Sequence, residues 1–342
     1  MLSRSLKKKI LSLFLLVFLI FYAVIAVIPR KENVEGENKL RKSPDALPLL
    51  IAHGGGNGEF PDNTLEAFYN AYSVDNNVMM ETDVNITKDG ILILSHNTNL
   101  DRRTNVTGDI ADWNYSDLIG MRVNFGYDNE TEDTILVGER FKFKNQEEKE
   151  VTPLDVSYPV GVKPRDEEIF LATTFEELLL AFPFNMISVE IKQKGSDGIR
   201  ALDEALRLIE KYDAFDRVTV ATFNLNVYKR LISYQKNGSV PGGIMYTPSL
   251  FTSVKYTVLY YLGLDVFFTD KISAFHLPIE ELGVVYAKRD IIDNMHKHNI
   301  AVHFWTIDDE DEMRELIELG ADGIMTNYPS RLKQVYAEYQ KQ

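Results

Sequence analysis

The sequence of 342 residues contains no cysteine. This absence excludes disulfide bonds, zinc sites with thiolate ligands, a cysteine nucleophile and a lipidated N-terminal cysteine. Basic residues are also in the minority, since 37 Lys and Arg stand against 51 Asp and Glu, for a net charge of −14. Proteins that bind nucleic acid neutralise its phosphates with basic surfaces. The composition therefore argues against nucleic acid as a partner, and an anionic substrate would need a local positive centre.

Charge is missing altogether from one long stretch near the N-terminus, Ile10 to Ile28. At about 1.5 Å per residue, a helix of this length crosses a hydrocarbon core of about 30 Å. Lys7, Lys8 and Lys9 precede it, and the positive-inside rule then predicts a single-pass membrane protein with a cytoplasmic N-terminus and an extracytoplasmic body.

A cleaved signal peptide is the alternative interpretation of this stretch. The apolar run is longer than a signal peptide core of about 7–15 residues, and no good cleavage site follows it, so an uncleaved anchor is favoured. We assign residues 1–30 to the anchor, the polar residues 31–47 to a flexible linker, and residues 48–342 to one folded domain.

Apolar strand-like runs alternate with amphipathic helical runs in this domain, a pattern typical of parallel βα units. Eight such units predict an α/β fold, a (β/α)₈ TIM barrel, which commonly occupies about 250 residues. The excess sequence predicts a small insertion between strands two and three of the barrel, at about residues 109–170. The predicted strands are 48–53, 78–86, 186–192, 217–222, 242–246, 265–269, 301–305 and 323–326, and the main predicted helices are 64–75, 197–212, 287–299, 309–318 and 329–340.

Polar residues suited to catalysis follow the first apolar runs. His53 ends one run, and His96 ends another. Glu81 and Asp83 lie two positions apart on a predicted strand, so their side chains share one face. A histidine or an acid pair alone is usually structural, but two histidines with an acid pair suit metal-assisted general acid/base chemistry.

Several short motifs in this order resemble the glycerophosphodiester phosphodiesterase family, across roughly residues 48–335. They are His53-Gly54-Gly55, Pro61-Asp62-Asn63-Thr64, Glu81-Thr82-Asp83, His96-Asn97, Leu100-Asp101-Arg102-Arg103-Thr104, Thr174-Phe175-Glu176-Glu177-Leu178, Val189-Glu190-Ile191-Lys192, Trp305-Thr306 and Gly320 to Pro329.

The resemblance implies hydrolysis of glycerophosphodiesters to glycerol 3-phosphate and an alcohol. It makes His53 and His96 the general acid/base pair. It also implies a divalent metal, with Ca²⁺ favoured on family grounds and Mg²⁺ or Mn²⁺ possible, because hard cations prefer oxygen ligands. The implied metal ligands are Glu81, Asp83 and Glu190, and Lys192 is the implied phosphate contact. Gly54, Asn63 and Trp305 are further substrate-binding candidates; as an aromatic residue at a strand end, Trp305 either packs against the glycerol or an alkyl group of the substrate or belongs to the barrel packing.

Two positions depart from the family pattern. Gly54 stands where the family usually has a phosphate-binding arginine, so a bidentate guanidinium contact is missing unless Arg102, Arg103 or the backbone amides of the glycine loop substitute. Asp62 replaces the usual glutamate. Three other functions stay open: a lysophospholipase D or other lipid phosphodiesterase, a teichoic-acid phosphodiesterase, and a non-catalytic barrel that binds glycerol phosphates.

The remaining histidines and the aromatic residues of the insertion carry weaker expectations. His303 shares a strand face with Trp305 and is expected near the site, whereas His276, His296 and His298 are interpreted as surface or structural residues. The aromatic residues of the insertion either line a pocket or form a small core of their own; they are Tyr127, Phe141, Phe143 and Tyr158.

Overall fold

The computed structural model describes residues 4–131, 134–135, 140–238 and 244–340. The chain begins with helix α1 (Arg4–Val27). Within the described residues, its stretch Lys8–Val27, with a mean hydropathy of 3.1, is long and apolar enough to cross a membrane. Almost all of this helix is exposed, and Ile25 is its one buried side chain among those described.

The body contains thirteen described strands and nine further described α-helices. The strands are β1 (Leu49–Ala52), β2 (Met79–Ile86), β3 (Leu92–Leu94), β4 (Glu130–Thr131), β5 (Thr134–Ile135), β6 (Ile187–Ile191), β7 (Val218–Ala221), β8 (Met245–Tyr246), β9 (Ala274–Leu277), β10 (Glu280–Glu281), β11 (Val284–Val285), β12 (Ala301–Phe304) and β13 (Gly323–Thr326). The helices are α2 (Leu65–Val74), α3 (Tyr115–Gly120), α4 (Phe175–Ala181), α5 (Gly195–Lys211), α6 (Leu225–Asn237), α7 (Leu250–Tyr261), α8 (Arg289–Lys297), α9 (Glu310–Leu319) and α10 (Pro329–Tyr339).

Eight parallel strands form a nearly closed barrel in the order β8-β7-β6-β2-β1-β13-β12-β9. Where the two end strands face each other, the Ser273 amide donates a 2.9 Å hydrogen bond to the Tyr246 carbonyl. The first barrel helix, α2, starts as the sequence suggests, because the Thr64 hydroxyl accepts a hydrogen bond from the Ala67 amide. The predicted (β/α)₈ TIM barrel is confirmed.

The predicted sixth strand at 265–269 is wrong. Asp265–Phe267 forms a short 3-10 helix, and the sixth barrel strand is β9, nine residues later. A short apolar run such as Val266–Phe268 cannot be assigned to a strand by its pattern alone, and His276 interrupts the apolar pattern of the real strand. The prediction of a strand at 242–246 overlaps β8, with residues 242 and 243 outside the described part of the chain.

The segment predicted as a flexible linker packs against the barrel. Leu40 is fully buried in a cluster with Ile51, Met79 and Met325, and its carbonyl accepts a 2.9 Å hydrogen bond from His303 Nε2. Asn38 is also buried, and its side-chain amide donates to the carbonyls of Ser273 and Asn299. These contacts lie at the N-terminal ends of the strands, so the segment closes the bottom of the barrel.

Residues between β3 and α4 form a second small core. Its buried members include Ile110, Leu118, Phe125 and Phe170. Of the four aromatic residues singled out in this region, Phe143 is buried beneath the Arg103 guanidinium and Tyr158 packs against Tyr69. The core interpretation is therefore the better one for these two rings.

Candidate active site

Seven of the predicted site residues line one cavity of about 210 Å³ at the C-terminal ends of the barrel strands, where TIM barrels carry their active sites. They are His53, Glu81, Asp83, His96, Glu190, Lys192 and Trp305. Gly54 and Asn63 do not line this cavity.

His53 follows β1 directly and opens a short 3-10 helix, His53–Gly55. Its Nδ1 lies 2.8 Å from Asn327 Oδ1, while the Asn327 amide nitrogen donates to Asp308 Oδ2 at 2.8 Å. An ionised carboxylate only accepts hydrogen bonds, so the amide oxygen of Asn327 must face the imidazole and Nδ1 must carry the proton. In neutral His53, the basic lone pair is therefore on Nε2, which lies 4.0 Å from Glu81 Oε2.

His96 lies at the rim of the cavity, two residues after β3, and is exposed. Its Nδ1 is 2.8 Å from Asn97 Oδ1. The loop that carries it is fixed from below, because the buried Asn85 side chain donates to the carbonyls of Ser95 and Asn97. The second histidine therefore stands on a well-supported loop.

Glu81, Asp83 and Glu190 bring three carboxylates to the cavity from neighbouring strands, since Asp83 and Glu190 are register partners on β2 and β6. Burial and the neighbouring Asp83 raise the pKa of Glu81 well above its ordinary value. Burial also raises the pKa of Glu190, to about 7, although Lys192 opposes this shift. These shifts indicate an excess of buried negative charge.

Lys192 supplies the positive charge at this cluster. Its Nζ lies 3.0 Å from Asp83 Oδ1 and 3.1 Å from Glu190 Oε2. Burial alone would lower the pKa of Lys192, but the two carboxylates raise it above its ordinary value. One ammonium faces three carboxylates, so the site has the charge and the all-oxygen donors that suit a further cation.

Among the described residues, no group of three or more His, Cys, Asp or Glu side chains is placed so that it could hold a metal ion as it stands. A metal bound by the three carboxylates would have to compete with Lys192 for Asp83 and Glu190. The donor chemistry fits a hard divalent cation.

Gly54 and Asn63 act on the carboxylates. The Gly54 amide donates to Glu81 Oε2 at 3.0 Å. The buried Asn63 side chain donates to Asp83 Oδ2 at 3.2 Å and accepts from the Asp83 amide at 3.0 Å. Both residues therefore orient proposed metal ligands, and their polar groups are not directed at the cavity.

Neither arginine proposed as a substitute at position 54 reaches the cavity. Arg102 and Arg103 are buried and both pair with the Asp62 carboxylate. Burial alone would raise the pKa of Asp62, but the two guanidinium groups hold it far below its ordinary value. The Asp62 cluster is a buried ion network behind the site.

Two functional candidates were missed from the sequence. His276 lines the cavity, and its Nε2 has no hydrogen-bond partner among the described residues. It could not be found because its strand was assigned elsewhere. Asn327 directly follows β13, and this position after a barrel strand was the signal that could have singled it out.

The other histidines lie outside the cavity. His303 is buried below it, stacked on the His276 ring at 5.2 Å, so its predicted approach to the site is not observed. Burial lowers the pKa of His276, the histidine of this stacked pair that does line the cavity, to about 3. His296 and His298 pair with Asp322 and Asp265, away from the cavity.

The sequence pattern of the glycerophosphoryl diester phosphodiesterase family matches residues 53–331. The chain belongs to this family. It is thus a phosphodiesterase that hydrolyses glycerophosphodiesters.

The relatives of the chain include proteins from animals and bacteria. Human lysophospholipase D GDPD1 is 25% identical, with 86% of this chain and 87% of that protein covered. A glycerophosphodiester phosphodiesterase of Bacillus altitudinis is 22% identical, with 85% of this chain and 99% of that protein covered.

Solved structures share the fold. A putative glycerophosphoryl diester phosphodiesterase from Silicibacter pomeroyi has a TM-score of 0.59 and 18% identity, covering 88% of this chain and 96% of its own. A phosphodiesterase from Oleispira antarctica, solved with the product sn-glycerol-3-phosphate, has a TM-score of 0.57 and 18% identity, covering 85% and 97%.

Proposed function

We propose that this phosphodiesterase is metal-dependent and uses His53 and His96 as its general acid/base pair. The observation that carries the proposal is the meeting of both imidazoles with three carboxylates and Lys192 around one cavity. A purely binding barrel needs a positive site for phosphate, whereas this cavity has more acidic than basic groups. Such a site favours a phosphate group only when a cation is bound as well.

Glu81, Asp83 and Glu190 would hold the cation, with Ca²⁺ favoured and Mg²⁺ or Mn²⁺ as alternatives. When bound, the cation supplies charge that polarises the phosphoryl group. Lys192 is close enough to these carboxylates to contact the same phosphate from the side. Gly54 and Asn63 hold Glu81 and Asp83 in position through the hydrogen bonds described above.

The two histidines move protons on opposite sides of the phosphorus. One imidazole accepts the proton of the attacking hydroxyl, and the other donates a proton to the leaving alkoxide as the P–O bond breaks. His53 has its Nε2 lone pair available for this role, because Asn327 binds the proton on Nδ1. The same pair serves an attacking water molecule or the 2-hydroxyl of the glycerol.

The substrate class divides into water-soluble glycerophosphodiesters and diesters that carry one acyl chain. The second class is supported by the apolar groups Phe223, Pro248 and Trp305, which line the same cavity as the acids, and by the human relative named as a lysophospholipase D. A membrane anchor in α1, with a cytoplasmic N-terminus and an extracytoplasmic barrel, would keep the enzyme at such a substrate.

The test measures two reactions: the release of glycerol 3-phosphate from glycerophosphocholine, and the release of lysophosphatidic acid from lysophosphatidylcholine. The full chain in detergent is assayed with EDTA and with Ca²⁺, Mg²⁺ or Mn²⁺ added back. We expect EDTA to abolish turnover, one of the three metals to restore it, and His53→Ala to lower kcat by about 10²- to 10⁴-fold.

His296→Ala is the matched control, because His296 lies outside the cavity and pairs with Asp322. Its kcat should stay within a few-fold of that of the unaltered chain. Turnover that survives EDTA, or a His53→Ala variant as active as His296→Ala, would contradict the proposal.

A further inference from the structure

Helix α7 presents an apolar face to the outside of the barrel. Its exposed residues recur at helical spacing, and each is between 51% and 73% exposed. They are Leu250, Phe251, Val254, Val258, Tyr261 and Leu262. Lys255 is the one charged residue between Ser249 and Gly263, and its ammonium pairs with Asp270.

The orientation of this helix about its own axis is fixed by its inner face. Tyr256 is buried, with its ring 5.0 Å from those of both Phe268 and Phe275, and its hydroxyl donates to Asn294 Oδ1 at 2.6 Å. The apolar face of α7 therefore stays outside while the core remains intact. Barrel helix α5, by contrast, exposes charged residues such as Asp203, Arg207 and Glu210, as a helix facing water normally does.

The apolar face of α7 connects the proposed membrane anchor to the mouth of the cavity. At one end, the Tyr22 ring of α1 lies beside Gly263, which follows α7. At the other end, Leu250 and Phe251 follow Pro248, which lines the cavity. Phe223 and Leu225 are exposed as well, and Phe223 lines the same cavity as Pro248.

We propose that the outer face of α7 rests on the surface of the lipid bilayer and turns the mouth of the active site towards it. Exposed apolar side chains clustered on one helix face mark a site of interaction with a protein or a membrane, and a helix with such a face lies in the plane of the membrane interface. The bilayer is the occupant favoured here because the surface begins at the residues where α1 contacts the barrel. A diester with one acyl chain would enter past Phe223 while its phosphate reaches the site of the proposed cation.

This inference rests on the proposed anchor, and its first test does not depend on activity. Because the chain has no cysteine, Val254→Cys and Val258→Cys each give one labelling site for a nitroxide in the full chain. In phosphatidylcholine liposomes, we expect these labels to be shielded from a water-soluble nickel chelate and accessible to oxygen. Ser73→Cys is the control, since Ser73 is an exposed residue of α2, the helix four barrel strands away.

The proposal would be overturned if the labels at positions 254 and 258 were as accessible to the nickel chelate as the label at position 73. Spin–spin broadening at these positions that disappears on dilution with unlabelled chain would also overturn it, because it would identify a second copy of the chain as the occupant.

The second test measures substrate preference with a Val254→Glu and Val258→Glu double variant. We expect its turnover of lysophosphatidylcholine in vesicles to fall about tenfold or more, with turnover of water-soluble glycerophosphocholine unchanged. Equal rates for the variant and the unaltered chain on both substrates would contradict the proposal. An unaltered chain inactive on both substrates would contradict the proposed function, while the label accessibilities would still decide the membrane contact.

Discussion

The imidazole of His53 is held in one tautomer by two successive hydrogen bonds. Asp308 accepts from the side-chain amide of Asn327, and the oxygen of that amide accepts from His53 Nδ1. Asp308 also accepts from the Asn327 backbone amide at 2.9 Å, which fixes Asn327 at two points. Asn327 is therefore a positioning residue for His53.

We expect Asn327→Ala to lower kcat by about 10- to 100-fold, the usual effect of removing a group that orients a site residue, with a much smaller change in KM. Without the acceptor, neutral His53 is free to place its proton on Nε2, where it can no longer act as a base. The measurement is the pH profile of kcat together with a thermal melt of the variant. A kcat unchanged from that of the unaltered chain would show that His53 does not need this support.

The backbone conformation at Gly54 explains a glycine at this position, which the motif comparison alone could not do. The position has φ of 55°, and a Cβ added there would lie 2.8 Å from the Asp62 Cβ. Glycine adopts this backbone conformation at little cost, whereas a side chain is disfavoured. The local backbone conformation therefore favours the glycine that departs from the family pattern. Arg102 and Arg103 do not replace the missing arginine, because both pair with Asp62.

Among the helices and strands, those with the clearest apolar periodicity were predicted correctly from the sequence. Helices α2, α5, α8, α9 and α10 were predicted from apolar periodicity, within two residues at each end. The strand β9 was missed because His276 faces the cavity and breaks its apolar pattern. Contacts far apart in sequence, such as that of Leu40 with the barrel bottom, leave no local pattern and could not be predicted.

The buried segment around Leu40 is expected to add to the stability of the barrel. Leu40 is fully buried, and truncation of such a leucine to alanine costs about 2–5 kcal/mol. We expect Leu40→Ala to lower the free energy of unfolding by this amount, measured by urea denaturation of the full chain in detergent. Lys39→Ala is the control, because the Lys39 side chain is 49% exposed, and its effect should stay below about 1 kcal/mol. If Leu40→Ala and Lys39→Ala both changed the free energy of unfolding by the same small amount, the segment would be a flexible linker, as the sequence predicted.

At the scale of the whole molecule, one ion pair joins the end of the proposed anchor to the barrel. The Arg30 guanidinium donates to both carboxylate oxygens of Asp265, at 2.8 and 3.0 Å. The same carboxylate accepts from the buried Asn294 side chain at 3.1 Å and contacts His298 Nε2 at 3.3 Å. The end of the proposed anchor thus contacts the barrel through a buried acid.

The pH dependence of stability tests this connection. Burial alone would raise the pKa of Asp265, but the hydrogen bonds and charge of Arg30, with Asn294, lower it to about 2. Since an unfolded aspartate has a pKa of about 3.9, this pair stabilises the fold above about pH 4, and the contribution is lost as the pH falls towards 2. We expect Arg30→Gln to lower the free energy of unfolding by about 2 kcal/mol or more at pH 7, and the difference from the unaltered chain to shrink as the pH is lowered from 5 to 2.5. Urea unfolding of the full chain in detergent measures the free energy of unfolding at each pH. The control is Lys39→Gln, which breaks an exposed pair with Asp216 and should change this free energy by less than about 1 kcal/mol. A difference for Arg30→Gln that is the same at every pH would mean that the side chain stabilises the junction by packing, with no contribution from its charge.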